Sequence, residues 1–510
     1  MKKNSIFLML AASLVLGLAS CSTTDITPAP NAGPNGNTTG NGNPTGTGTA
    51  MDVQGQITTN TTWSAANKYL LKGYVYVRSG ATLTIEAGTI IKGDKDTKGA
   101  LIIEPGAKLI AIGTAAKPIV FTSNQPKGSR NYGDWGGVIL AGNALVNSLV
   151  GTTRPTIEGG PTTQYGGTDA ADNSGVLQYV RIEFGGVAFS PNNEVNGLTL
   201  CAVGNGTMLD HIQVSYSGDD SYEWFGGTVN AKYLVAHRGF DDDFDTDNGF
   251  SGKLQFLVSL RDPLAADQSG SKGFESDNDA SNSDNSPKTS PVFSNVTLIG
   301  PLANPAGAGS ISSQYVAGVH IRRNSALSLF NSVIAGWPAG ILIDGTKAAT
   351  NVANDGLKIK NTIVAGTPTG SNSVRGQKEI IYIAGSGGAG SLTPTNAMAT
   401  DSSAFGAKVG PLSWLTAAAN ANKRYTTADA VRLLNPFNLT SPSFLPSTTS
   451  PIVYNGTTTT PAVPASFSDA KVSDPFFTPV NYIGAFAGTG ASSDNWMAGW
   501  TNFDPQNTDY

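Results

Sequence analysis

The chain is poor in charged residues, histidine and cysteine, and each shortage excludes a class of protein. Asp, Glu, Lys and Arg make up 14% of the 510 residues, against about 25% in a typical soluble domain. Helix-forming residues are therefore scarce, which excludes coiled coils and helical bundles. Two cysteines and three histidines leave little room for a zinc or haem site. A net charge of −5 argues against nucleic acid as a partner, because a nucleic-acid groove needs clustered Lys and Arg.

Long hydrophobic runs are also few, and the clearest one lies near the N-terminus. Lys2 and Lys3 precede an apolar stretch over residues 6–18, which is short for a membrane span and is typical of a secretory signal. The stretch ends Leu-Ala-Ser-Cys, which resembles the bacterial lipoprotein box. In that family the signal is removed before the cysteine, and the cysteine is then acylated. We expect residues 1–20 to be a signal peptide and Cys21 to carry a lipid; an ordinary signal peptide is the alternative.

The segment that follows the cysteine is rich in Pro, Gly, Asn and Thr and has no apolar periodicity. This composition predicts a flexible tether over residues 21–52. A lipid anchor, a tether and a large acidic body together predict a protein of the cell envelope. We expect it on the outer membrane or cell surface, with the membrane as a partner through the lipid.

Glycine is abundant instead, at 61 residues, and it ends many short β-branched segments. Residues 81–88 (ATLTIEAG) are echoed by residues 101–106 (LIIEPG), and comparable strands recur at a spacing of roughly 18–23 residues. This repeat predicts an all-β solenoid. A string of β-sandwiches is the alternative, but sandwiches need longer alternating strands at even spacing.

Four longer motifs carry a family resemblance. They are residues 209–227 (LDHIQVSYSGDDSYEWFGG), 239–249 (GFDDDFDTDNG), 273–278 (GFESDN) and 496–510 (WMAGWTNFDPQNTDY). They resemble secreted or lipid-anchored bacterial proteins of Bacteroidetes type that form a right-handed parallel β-helix. The resemblance covers most of residues 53–510 and implies the fold, whereas the family has no established activity. We expect the β-helix over residues 53–395.

The repeat ends after residue 395. Trp414-Leu415 and residues 427–434 predict a short helix behind a Thr/Asp-type cap, and the rest is rich in Pro and Thr. Because a solenoid must cover its last coil to stay unaggregated, we expect residues 396–510 to form a cap or a wrap along its side. A carbohydrate-binding module built on Trp496 and Trp500 is the alternative.

Acidic residues recur in register within the repeat. Residues 219–227 align with residues 241–249, which lie 22 residues later, and with residues 273–278 after an insertion. Equivalent positions of successive coils lie about 4.8 Å apart in a parallel β-helix. The aromatic residues of the three copies are therefore expected to stack inward: Tyr222, Phe244 and Phe274.

The carboxylates of the same copies are then expected to form two outward columns. Carboxylates this close repel each other unless a cation or an arginine lies among them. Ca²⁺ takes six to eight oxygen ligands, so the pattern predicts a calcium site. Its candidate ligands are Glu223, Asp243, Asp245, Asp247, Glu275 and Asp277. Arginine is the alternative neutraliser, because Arg238, Arg261 and Arg322 are near in the expected arrangement.

Two functions fit these observations. The first is a structural or binding protein of the envelope that engages polysaccharide or other surface proteins, since exposed Tyr, Trp and Asn ladders suit sugar stacking. The second is a calcium-dependent polysaccharide lyase or an inverting glycoside hydrolase, by analogy with solenoid enzymes that use several aspartates. The His-Gly and Arg-Ile-Lys elements of polygalacturonase-like sites do not occur, which favours the first. The candidate catalytic residues of the second are Asp219, Asp220, Asp241, Asp242, Arg238 and Arg322.

Overall fold

The computed structural model describes residues 50–148, 153–190, 193–302, 311–367, 379–384, 410–453 and 464–510, with Gly48 and Phe405. The predicted signal peptide, Cys21 and nearly all of the predicted tether lie outside these residues. Among the described residues, no helix combines the length and the apolar character that a membrane crossing requires.

The described chain consists mainly of short strands. These are β1 (Ala50–Ile57), β2 (Thr61–Trp63), β3 (Lys68–Val77), β4 (Thr82–Ile85), β5 (Ile90–Gly93), β6 (Ala100–Ile103), β7 (Lys108–Ile112), β8 (Ile119–Ser123), β9 (Gly137–Ala141), β10 (Gly175–Glu183), β11 (Ala188–Ser190), β12 (Asn193–Glu194), β13 (Leu198–Cys201), β14 (Met208–Ser215), β15 (Tyr222–Phe225), β16 (Asn230–His237), β17 (Phe244–Asp247), β18 (Lys253–Leu260), β19 (Phe274–Ser276), β20 (Val292–Ile299), β21 (Ala317–Ile321), β22 (Ser328–Phe330), β23 (Val333–Ala335), β24 (Ala339–Asp344), β25 (Ile359–Lys360), β26 (Ile363–Ala365), β27 (Ile380–Ile383), β28 (Lys423–Tyr425), β29 (Leu433–Asn435) and β30 (Ser443–Pro446). The α-helices are α1 (Thr346–Ala353) and α2 (Pro411–Leu415).

Twenty-six of these strands join in one continuous parallel ladder, which confirms the predicted all-β parallel β-helix. Each coil contributes to three sheets. Sheet A contains β2, β4 and β7, the first halves of the long strands β10, β14, β16, β18 and β20, and then β22 and β25. Sheet B contains the first halves of β1 and β3, then β5 and β8, the second halves of the same long strands, and then β23, β26 and β28. Sheet C contains the second halves of β1 and β3, then β6, β9, β13, β15, β17, β19, β21, β24 and β27.

Side chains that point into the coils form one apolar core. The predicted aromatic column lies within it, because Tyr222, Phe244 and Phe274 are fully buried. Their ring centroids are 5.4 Å apart for the first pair and 5.2 Å for the second. Burial of one such side chain is worth about 1.5–3 kcal/mol, so the aromatic column fixes the register of the coils around it.

The chain turns from sheet A into sheet B at one residue per coil, either within a long strand or between two short strands, and this residue has a left-handed backbone. In seven coils φ lies between 51° and 63°, at Tyr179, His211, Tyr233, Phe256, Asn295, Asn331 and Asn361. This conformation costs an ordinary residue about 1–2 kcal/mol. Ring stacking offsets part of the cost, because the His211 ring lies 4.4 Å from the rings of both Tyr179 and Tyr233. In the later coils, asparagine tolerates this backbone conformation.

The C-terminal region wraps along sheet B. Outward-facing Val235, Val258 and Ile299 lie in one apolar cluster with Phe486 and Trp500 of this region. Trp500 is fully buried and Trp496 is half-buried, and both pack in this cluster, which favours a wrap along the solenoid over a carbohydrate-binding module built on the two tryptophans.

Some local predictions differ from the structure. The ladder extends beyond residues 53–395 at both ends, since β1 begins at Ala50 and β28 pairs with β26 in sheet B. The helix expected over residues 427–434 is a single 3-10 turn, Ala428–Val431. Helix α1 interrupts the repeat where no helix was expected.

Candidate functional site

The outer side of sheet C changes character along the β-helix. In the first coils its outward residues are apolar, and Ile102, Ile139 and Cys201 pack against Ile157 and Tyr165 of an overlying loop. On β15, β17 and β19 the central outward residues are the carboxylates Glu223, Asp245 and Glu275, although Phe225 at the end of β15 still packs against Tyr165. The acidic side chains therefore begin at the edge of the apolar cover.

The carboxylates lie in columns because the coils are in register. On the strands, Glu223 pairs with Asp245, Asp245 with Glu275, and Glu275 with His320. The structure thus brings the three carboxylates of the first predicted column together in consecutive coils. The second predicted column is also in register. Asp247 is the last residue of β17, and the backbone N–H of Asp277 donates to the carbonyl of Thr246, so Asp277 occupies the position of Asp247 one coil later.

A second set of acids lies at the corner that precedes these strands. The same register makes Asp220, Asp242 and Lys272 equivalent, each two residues before the inward aromatic residue. One coil earlier the equivalent residue is Asn196. The corner column therefore begins with an amide, continues with two carboxylates and ends with an ammonium group.

The acids of the two columns, with the neighbouring Asp219 and Asp241, form three groups, in each of which one oxygen per residue lies within 4.8 Å of the others. The first group is Asp219, Asp220 and Asp241; the middle group is Asp220, Glu223 and Asp245; the last group is Asp242, Asp245 and Glu275. Asp220, Glu223, Asp242 and Glu275 are buried. Asp219, Asp241 and Asp245 are half-buried, so each group is accessible from the solvent through at least one member.

Burial and mutual repulsion raise the pKa values of these acids. Burial, followed by the Asp242 charge, raises the pKa of Asp220 well above its usual range. Burial and Asp247 raise the pKa of Asp245 to about 7, and burial raises the pKa of Asp247 to about 6. Burial and Glu158 raise the pKa of Glu223 as well. Near neutral pH this surface therefore has a strong tendency to bind protons or cations.

Basic side chains neutralise only the last part of the columns. Lys272 Nζ lies 3.3 Å from Asp242 Oδ2 and also contacts Glu275. Arg322 contacts Glu275, and its Nε donates to Asp277 Oδ1 at 2.8 Å. Arginine therefore neutralises the last coil of the columns. No basic side chain in the described ranges forms an ion pair with a carboxylate of the first or middle group.

Three of the six predicted calcium ligands belong to none of the groups, namely Asp243, Asp247 and Asp277, and Asp277 pairs instead with Arg322 and Arg323. Arg238, a predicted catalytic residue, also lies apart. Asp243 Oδ1 accepts from Arg261 Nη1 at 2.7 Å, and both side chains are fully buried. Asp243 stands at the corner before β17, where the alternation of the strand does not hold, so it faces the interior. Arg238 pairs with Asp262 and lies 4.7 Å above the Tyr216 ring. We therefore leave Asp243 and Arg238 out of the candidate site.

Three residues of the site were missed from the sequence: Glu158, Asn196 and Lys272. Burial raises the pKa of Glu158 to about 7, although a hydrogen bond with Glu223 acts in the opposite direction. Asn196 is fully buried and donates through Nδ2 to Glu223. Lys272 could have been identified from the sequence, because extending the alignment of residues 273–278 by one position towards the N-terminus aligns Lys272 with Asp242. Glu158 belongs to an irregular loop, where no repeat predicts a partner.

The arrangement can do two things chemically. The carboxylates and the Asn196 carboxamide supply the oxygen ligands that a hard divalent cation takes. Lys272 and Arg322 supply positive charge at one end of the same surface, but both are held in ion pairs with carboxylates. Cation binding therefore needs no rearrangement of these pairs, whereas the use of Lys272 or Arg322 as a base would require one to break.

The comparisons with known proteins agree with the fold. A family model described as a pectate-lyase-like β-helix domain matches residues 55–408. No curated protein and no solved structure gives a match. Because the family model covers more than half of the chain, this protein belongs to the family of pectate-lyase-like β-helix domains.

Proposed function

We propose that this protein binds polysaccharide at the cell envelope through a Ca²⁺ ion held on the outer side of sheet C. The observation that carries the proposal is the middle group of carboxylates, which has no basic partner among the described residues. The lipidated Cys21 and the tether over residues 21–52 would hold the β-helix away from the membrane.

Unpaired oxygens support the calcium part of the proposal. Asp241 Oδ1 and Asp245 Oδ1 are inaccessible to solvent and accept no hydrogen bond from the described residues. Buried acceptors without a donor are uncommon in proteins, and a bound cation satisfies them. Asp245 belongs to two of the three groups, so one ion near it neutralises several carboxylates.

The family supports the polysaccharide part. Its name refers to pectate lyases, and those enzymes act on a polysaccharide. The half-buried Asp219, Asp241 and Asp245 leave one side of the surface accessible. A cation held there could therefore take further oxygens from sugar hydroxyl or carboxylate groups.

A calcium-dependent lyase or an inverting hydrolase is the second candidate. Arg322 favours it, because this side chain contacts Glu275 and Asp277 at one end of the acidic surface and places a positive charge beside the candidate carboxylates. Asp219, Asp220, Asp241 and Asp242 would supply the carboxylates.

A melting experiment on the chain from Ser22 onward tests the calcium part. We expect Ca²⁺ to raise Tm relative to chelator, by an amount that grows with the ion concentration. Asp245→Asn should abolish the shift. Asp355→Asn is the matched control, because Asp355 is exposed and pairs with Lys358 outside the site. An identical Tm in calcium and in chelator would contradict the proposal.

A glycan array with bound calcium tests the polysaccharide part. Binding without release of unsaturated or reducing ends supports a binding protein, and release of either supports the enzyme. For the anchor, a labelled fatty acid should enter the wild-type protein and not Cys21→Ala.

A further inference from the structure

The middle and last groups are the same arrangement, displaced by one coil. In the register of sheet C, Asp220 corresponds to Asp242, Glu223 to Asp245, and Asp245 to Glu275. Each group thus takes one corner acid and one strand acid from a coil, and one strand acid from the next coil. The β-helix therefore presents two equivalent triangles of carboxylates.

The last group holds a cation that belongs to the chain. The Lys272 side chain is 3% exposed, lies 3.3 Å from Asp242 Oδ2 and contacts Glu275. Lys272 occupies the corner position of the coil that follows Asp242. For the middle group, the equivalent following corner residue is Asp242 itself, so a fourth carboxylate stands where the last group has an ammonium group.

A second observation points to a ligand at the middle group. Asn196 is fully buried, and its Nδ2 donates to Glu223 of the middle group and, at 3.4 Å, to Thr199 Oγ1. The carboxamide oxygen Oδ1 is inaccessible and has no partner in the described chain. Carboxamide oxygens are common Ca²⁺ ligands, and Asn196 is the corner residue one coil before Asp220. Asp245 Oδ1, on the opposite side of the group, is likewise unpaired.

We propose that the middle group, with Asn196, binds one divalent cation, and that Lys272 is its built-in counterpart in the next coil. This inference rests on the proposed calcium site and locates the ion within it. Lys272 fills the last triangle permanently, so that the chain binds one ion fewer than its carboxylate pattern allows. The positive charge of Lys272 also keeps Asp242 and Glu275 in place when the middle group is loaded or unloaded.

Counting the bound ions tests the inference. Calcium titration calorimetry on the wild-type chain gives the reference stoichiometry. Lys272→Met removes the ammonium group but keeps the length of the side chain, and it should bind one ion more than wild type. Lys272→Arg keeps the charge and should leave the stoichiometry unchanged. Lys347→Met is the matched control, because Lys347 pairs with exposed Asp284 outside the groups.

Glu223→Gln tests the middle group independently of any Lys272 variant. It should lose one ion, or weaken its affinity at least tenfold, and the double variant Glu223→Gln/Lys272→Met should return to the wild-type number. An unchanged stoichiometry in folded Lys272→Met overturns the inference. If Lys272→Met does not fold, unchanged stoichiometry together with unchanged affinity in Glu223→Gln overturns it. Absence of calcium binding to the wild-type chain would instead overturn the proposed function.

Discussion

The outer sides of sheets B and C belong to the same coils and carry opposite chemistry. On sheet B the outward residues include the aliphatic Val235, Val258 and Ile299, and the C-terminal region covers them with Phe486, Trp500 and their neighbours. On sheet C the central outward residues of β15, β17 and β19 are carboxylates, and burial and mutual repulsion raise the pKa values of the first two. The coil backbone is alike on both sides, so the difference comes only from the outward side chains.

This contrast separates a surface that adds stability from the surface that carries the proposed binding site. Apolar burial on sheet B adds to stability in proportion to the area covered. Clustered carboxylates on sheet C oppose folding until a proton or a cation neutralises them. Perturbed pKa values of this kind concentrate at functional sites. The following substitutions test the apolar cover on sheet B and the acidic surface on sheet C in turn, and the last one tests an ionic anchor beside sheet A.

The largest effect is expected from Trp500→Ala, which removes the most buried ring of the cover on sheet B. Truncation of a fully buried tryptophan costs about 3–5 kcal/mol, so the urea midpoint of unfolding should fall markedly. Phe189→Ala is the control, because Phe189 is 47% exposed. Equal losses in the two variants would mean that the C-terminal cover contributes little.

A smaller loss is expected from Asn331→Ala, which loosens the attachment of that cover. The Asn331 side chain donates to Ser294 Oγ and to the Ser466 carbonyl, both at 3.1 Å, and accepts from the Ser466 N–H at 2.8 Å. Loss of these bonds and the left-handed φ of 52° should together cost about 2–3 kcal/mol. Asn331→Gly loses the same hydrogen bonds, but glycine adopts a left-handed φ without strain. This variant should therefore unfold at a higher denaturant concentration than Asn331→Ala. The reverse order would contradict this account.

On sheet C a substitution is expected to raise the free energy of unfolding, whereas the substitutions on sheet B lower it. At pH 8 in chelator, Asp245→Asn removes a charge from two of the acidic groups and should stabilise the protein by about 1 kcal/mol. The same variant should gain nothing from calcium. Thermal melting with and without the ion measures both effects. A variant that is destabilised in chelator would argue that Asp245 has a structural role.

The smallest effect concerns Asp469, which anchors the C-terminal region beside sheet A. Hydrogen bonds from Lys360 and Lys358, at 2.9 and 3.0 Å, outweigh the effect of burial and lower the pKa of Asp469 to about 2. A depressed pKa stabilises the fold above the pKa of the unfolded chain, about 4, and this contribution is lost as the pH falls through 2. Asp469→Asn should therefore be less stable than wild type by on the order of 1 kcal/mol at pH 6. The two urea midpoints should converge near pH 2, and a constant difference would exclude an ionic origin.

The fold was predictable from the sequence because a solenoid repeats its signal. Short strands ending at glycine or asparagine, and the alignment of Tyr222 with Phe244 and Phe274, set the class and the register. Helix α1 was not predicted because it is an insertion that interrupts the repeat of short strands. The wrap on sheet B depends on contacts between residues far apart in the chain, such as His211 with Trp500, which no periodicity encodes.

The candidate site was predictable only in part. Register placed Glu223, Asp245 and Glu275 in one column, because strand pairing is local and periodic. Asp243 was assigned to the same surface, but the backbone turns there and the side chain pairs inside with Arg261. Which carboxylates are neutralised depends on corner geometry rather than on composition.

The equivalence of corner residues between coils makes the acidic surface modular. Asp220 and Asp242 are 22 residues apart and occupy the same position in consecutive coils. Duplication of residues 219–240 would therefore insert one whole coil and one further carboxylate triangle, while the inward aromatic column continues without a break. Evolution or protein engineering could thus lengthen or shorten the acidic surface in whole coils. Exchange of aspartate and lysine at a single corner position would adjust the affinity of the surface for cations.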